Sequence, residues 1–90
     1  MPLFGKSNSD DKRKLVETVG PVPEGYHVVQ VLQVAEVGHD PIHMQTKVLK
    51  DIERQCNSFG FDGFCNYKTT ASSDGTNDTL YAYADGIKSN

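Results

Sequence analysis

The chain has no tryptophan, only two cysteines among 90 residues, and no long apolar run. Each shortage excludes something. Two cysteines permit at most one bridge, so a disulfide-built scaffold is ruled out. Without about 20 consecutive apolar residues there is no candidate membrane span, and the opening MPLFGKSNSDDKRK lacks the continuous hydrophobic region of a signal peptide. A reducing, cytoplasmic setting is the expectation. Positive charge is also scarce: residues 21–90 carry five bases against nine acids, residues 1–20 four against three, and the net charge is −3. An acidic body repels phosphates and anionic lipid, which argues against nucleic acid and membrane surface as partners.

What remains is 37% apolar content, enough for an ordinary small globular domain. A chain of this size buries only about 60% of its unfolded surface, so its core is modest and self-association is one way to supplement it. Residues 1–24 read as a flexible N-terminal arm, because SNSDDKRK offers little apolar surface to offset the cost of ordering it. Within the arm, Leu15 to Val19 is a candidate edge strand.

From Tyr26 to Val37 the chain reads YHVVQVLQVAEV, and five of these twelve residues are valine. Polar residues at every third position would also suit a helix, but β-branched density after the PVPEG turn favours a strand. Gly38 ends it. Asp40 and Pro41 then form a helix start, since Asp accepts from unpaired first-turn N–H groups and Pro loses nothing at the first helical position. The helix is expected from Pro41 to Phe59, with Val48, Leu49, Ile52, Cys56 and Phe59 on its apolar stripe and Gly60 as its left-handed stop. Two further strands follow, Gly63 to Ala71 and Thr79 to Ile87, joined by the turn residues SSDGTND.

The resulting fold class is α+β: a β-α-β-β domain over residues 25–88, one helix packed on a three-stranded, mainly antiparallel sheet. The last strand should lie centrally, because it is apolar on both sides. Leu80, Ala82 and Ala84 point one way and Tyr81, Tyr83 and Ile87 the other. One helix covers one face, so Tyr81, Tyr83 and Ile87 are expected at an interface with a second copy, making a homo-oligomer.

Three segments carry a resemblance to the YbjQ-like family of small bacterial and archaeal proteins, which bears a heavy-metal-binding label. PEGYHVVQVLQVAEV is similar to the family's Pro-x-Gly-Tyr-x-Ile-x-x-x-x-Gly-x-Val, QCNSFGFDGFCNYKTTA to its Ala-x-x-Leu-Gly-Ala-Asp-Ala-Val-Val-Gly, and YAYADGIK to its closing strand before Gly-Thr-Ala-Val. The chain departs at Gln33, at Phe64 and Cys65, and from Gly86 to Ser89, and it lacks the long linker between first strand and helix. It resembles a shortened, divergent member. The resemblance implies a β-α-β-β unit that assembles into homo-oligomers, and it brings no catalytic residues.

The soft metal ligands are His27, His39, His43, Cys56 and Cys65. Zinc needs about four of them converging at about 2.0–2.3 Å, yet His43 and Cys56 are separated by roughly 20 Å of helix at its usual rise. His39 and His43 straddle the helix start and could form a two-histidine surface site; Cys56 and Cys65 can approach one another, but their spacing matches no standard metal motif. Core cysteines with surface histidines are the plainer reading, and metal binding through His39, His43, Cys56 or Cys65 is the alternative. A third reading is a small-molecule binder at subunit interfaces. Redox chemistry is disfavoured because Cys56 lies near a helix C-terminus and no C-x-x-C exists. DGTND lacks the ligand spacing of an EF-hand, and Gly60 to Gly63 follows a helix instead of opening one, so neither calcium nor phosphate is implied. The aromatic run FGFDGFCNY faintly echoes an RNA-recognition strand, but the second αβ unit and the basic face are missing. The reading is therefore a non-catalytic binding or structural module with no cofactor.

Overall fold

The computed structural model describes residues 14–90. Its elements are β1 (Val16–Glu17), β2 (Tyr26–Gly38), α1 (Pro41–Phe59), β3 (Gly63–Ser73) and β4 (Asp78–Ser89). The first thirteen residues of the expected arm lie outside the described residues.

The helix begins and ends on local chemistry. Asp40 Oδ1 accepts from the backbone N–H groups of Ile42 and His43 at 3.2 and 3.3 Å, and Pro41 occupies the first helical position. At the other end Gly60 adopts φ 76°, letting its N–H reach Asn57 O and that of Phe61 reach Cys56 O. This paired pattern satisfies the last carbonyls and turns the chain back toward the sheet. Met44, Val48, Ile52 and Cys56 form the buried stripe, while Phe59, expected on it, is 52% exposed because it stacks beside Phe61 at the outer corner.

β4 pairs antiparallel with both β2 and β3, confirming its central place, and β2 and β3 are consequently parallel with β4 between them. Its helix-facing residues Leu80, Ala82 and Ala84 are buried against Leu32, Met44, Val48, Ile52, Cys56, Phe61 and Phe64. The two alanines leave room for α1 to lie close on the sheet. The β3–β4 connection closes on Asp74, whose Oδ1 accepts from Thr76 N and Asn77 N at 2.9 and 2.8 Å, with Gly75 at φ 91°. Those backbone donors hold the Asp74 carboxyl below its ordinary range.

Two expectations are corrected. The sheet has four strands and is mixed, order β1-β3-β4-β2, because Val16 and Glu17 pair parallel with Gly63 and Phe64. Gly63 makes this possible: a Cβ there would collide with the Val16 backbone. Ile87 is fully buried, not on an open interface with Tyr81 and Tyr83. The chain after β1 must pass from the β3 edge to the β2 edge, and it is tied down by Asn66 N–H donating to Gly20 O and Asn90 N–H donating to Gly25 O. That path crosses the end of the open face where Ile87 and Cys65 lie, and both are fully buried there. Beside it, Asn66 takes a positive φ of 55° at a bulge in β3 and is held by Asp85 Oδ2 at 2.9 Å. Asparagine tolerates this left-handed conformation better than most residues.

Candidate functional site

Directly opposed residues of an antiparallel pair share a sheet face. Tyr81 opposes Ala35 and Thr70, Tyr83 opposes Gln33 and Lys68, and Asp85 opposes Val31. Beyond the part crossed by residues 18–25, these side chains make up the open face. Val31 is 57% exposed and Val37 63%, with Tyr81 and Tyr83 over a third exposed. Gln33, Ala35, Tyr81 and Tyr83 line a shallow depression there. Alternation along β4 placed both tyrosines correctly; no cover for them is present among the described residues.

The same region has an open edge. β2 is hydrogen-bonded to β4 on one side, and no described strand pairs with its other side along thirteen residues. A bulge between Val28 and Gln30 interrupts its near end, leaving Gln30 to Gly38 in unbroken register. This stretch has neither proline nor lysine, two of the devices that block edge pairing; it carries Glu36, and Gln33 O accepts from Gln55 Nε2 of α1 at 3.4 Å. On the far side of the sheet, β1 covers only Gly63 and Phe64, so β3 beyond Tyr67 also lacks a described outer neighbour.

The proposed metal ligands lie in different environments. His39 and His43 are exposed at the start of α1. Cys56 is buried in the core on the helix side and contacts Gly63 O at 3.5 Å. Cys65 is buried on the opposite face of β3, and no disulfide joins the two cysteines. Burial and the nearby Asp85 carboxylate both push the Cys65 thiol up, which opposes the thiolate that a metal or nucleophile requires. Among the described residues, no group of three or more His, Cys, Asp or Glu side chains could hold a metal ion. The remaining histidine, His27, meets Asn90 Oδ1 through Nδ1 at 2.8 Å.

Sequence reasoning missed a second cluster because its members come from three elements. Glu17 of β1, Leu49 of α1, and Phe64 and Tyr67 of β3 line a groove, with Glu17 itself exposed at its rim. Burial, then the hydrogen bond and charge of Glu53, push Glu17 up to about 7. Burial, followed by the Glu53 charge, also raises Tyr67. The alternation of Leu15 and Glu17 was the available signal, but it acquires meaning only once β1 is docked. At the opposite end, Pro41, Met44, Ala71 and Leu80 form an apolar groove of about 330 Å³ beneath the β3–β4 hairpin. Its volume is near the lower bound for ligand pockets.

Among the described residues, no helix is long and apolar enough to cross a membrane. No family model and no curated protein matches the chain. A crystal structure of a protein of unknown function from Pediococcus pentosaceus ATCC 25745, assigned to the DUF74 family, is similar with a TM-score of 0.72. The match covers 84% of this chain and 98% of that one at 11% identity. At that identity the likeness is one of fold alone.

Proposed function

We propose that this chain is a non-catalytic, cytoplasmic module of YbjQ-like type that acts by associating with further copies of itself. The observation that carries the reading is the open face of β2 and β4, where Val31, Val37, Tyr81 and Tyr83 remain exposed beside a β2 edge that no described strand pairs. An apolar face next to unpaired backbone donors and acceptors is an incomplete surface.

A second copy is the occupant the chemistry favours. Any β-edge can donate to and accept from another, and this chain offers one on β2 and another on β3 beyond Tyr67. Pairing β2 of one copy with β3 of the next is a heterologous contact that leaves further edges to propagate or close a ring. A stable interface takes about 800 Å² from each partner, a modest share of the 5690 Å² that one chain exposes. Burying the tyrosine face would also supplement a core that rests on a single helix. Light scattering at high micromolar concentration tests this: a multiple of 9.9 kDa supports it, and the single-chain mass of 9.9 kDa refutes it.

A further inference from the structure

We propose that the groove beside β1 is a docking site for a segment of this chain's own N-terminal arm, Leu3 and Phe4, with Lys6 set against its acidic rim. The groove exists because one helix is too narrow for the sheet. A helix with its side chains is about 10–12 Å across and strands lie about 4.8 Å apart, so one helix covers about two strands. Here α1 packs over Leu32 of β2 and Leu80, Ala82 and Ala84 of β4. On the same side of β3, Thr69 and Ala71 oppose Ala82 and Leu80 yet are exposed. Between α1 and β1 this leaves a trough lined by Val19, Leu49, Phe64 and Tyr67, with Glu17 exposed at its rim.

The occupant follows from composition and reach. Residues 1–13 lie outside the described residues, and their apolar side chains all precede Gly5, because Gly5 to Arg13 reads GKSNSDDKR. Phe4 therefore stands ten residues before Lys14, a distance of at most roughly 33–36 Å. Glu17 and Val19 follow Lys14 by three and five residues, which puts the trough within about 17 Å of that anchor. The apolar groove beneath the β3–β4 hairpin is a poorer target. β1 runs parallel to β3 with Val16 in register with Gly63, so Ala71 lies about 33 Å beyond Lys14 along the strands, and only a fully stretched tether would reach it. At the trough, a connection this short holds the segment at an effective concentration in the mM range, so a contact too weak to form between separate molecules is occupied within one chain.

Charge agrees with this occupant. Glu53 lies one helical turn beyond Leu49, on the same side of α1, and adds a second carboxylate to that of Glu17. Among the described residues the ion pairs are Lys47 with Glu36 and Arg54 with Asp51, so neither glutamate is in one. Lys6 follows Phe4 by two residues, placing a cation at the rim when Leu3 and Phe4 are seated on Leu49, Phe64 and Tyr67. The trough is on the helix side of the sheet, so its occupation is independent of self-association through the open face.

Because the chain has no tryptophan, Phe4→Trp places a single fluorescent reporter in the segment without altering a described residue. Acrylamide quenching of the full chain at about 2 µM and about 50 µM should be equal, and about twofold or more weaker than for the same chain in urea. Adding Leu49→Glu should raise quenching to the urea level while the circular dichroism spectrum stays native. Val19→Asp gives the same test if that variant does not fold, since Val19 is 75% exposed and outside the core. Quenching in the native protein as strong as in urea overturns the proposal. So does protection that survives both groove variants, or protection that appears only at the higher concentration, which would mean a neighbouring copy supplies the site. Light scattering on the same samples reads self-association separately, and equal protection at the two concentrations stands for one copy or several.

Discussion

Adding one methyl group to Gly86 should destabilise the fold through Phe61. A Cβ at Gly86 would lie 2.5 and 2.7 Å from two carbons of the Phe61 ring and 3.3 Å from Gln30 O. Real Cβ contacts do not come that close, so the ring or β4 must move. Phe61 is 7% exposed, packs in the helix-side core and stacks on Phe59 with ring centroids 5.4 Å apart, so it has little empty space to enter. Overpacking of this kind costs about 1–3 kcal/mol, whereas full expulsion of a core phenylalanine approaches the about 3–5 kcal/mol of a Phe→Ala change. We expect Gly86→Ala to lose about 2 kcal/mol, a large share of the about 5–10 kcal/mol available to a small domain, and about 10 °C in Tm. Urea unfolding followed by circular dichroism measures the loss. The same curves for Phe61→Leu and the double variant complete a cycle: a smaller side chain should recover part of the Gly86→Ala loss. Gly86→Ala unfolding at the wild-type midpoint, or strictly additive costs, would refute the close packing on which this reasoning rests.

Two other outcomes follow from particular contacts. Asp40→Ala removes the acceptor for Ile42 and His43 N–H and should cost about 1 kcal/mol in urea unfolding; an unchanged midpoint would show that water caps the helix equally well. Cys56 and Cys65 are both fully buried, so neither should react with a thiol reagent at pH 8 within minutes on the native protein, while both react at once in urea. Rapid native labelling of Cys65 would contradict its cover by the crossing chain.

The parts legible in sequence were those whose causes are local. Asp40, Pro41 and Gly60 set both ends of α1 within a few residues of themselves, and the helix runs from Pro41 to Phe59 as those signals require. Apolar groups on both sides of β4 gave its central place, and strand alternation put Tyr81 and Tyr83 on the open face. The misses have non-local causes. Leu15 to Val19 was legible as a candidate edge strand, but its parallel pairing was not, because it depends on Gly63, far along the chain, letting Val16 come close. Ile87 has the alternation of an exposed residue but lies where the chain crosses from one sheet edge to the other.

If another copy of the chain completes the open face and the β2 edge, the mass in solution reports it. Light scattering on wild type and on Val31→Lys/Tyr83→Lys, both at about 200 µM and physiological salt, tests it most directly, because exposed lysines on a face of this kind block strand and face pairing without entering the core. Self-association through this surface gives a wild-type mass that is a multiple of 9.9 kDa, falling to one chain in the variant with its circular dichroism spectrum retained. A wild-type mass of 9.9 kDa at that concentration, or a folded variant that keeps the wild-type multiple, would contradict it.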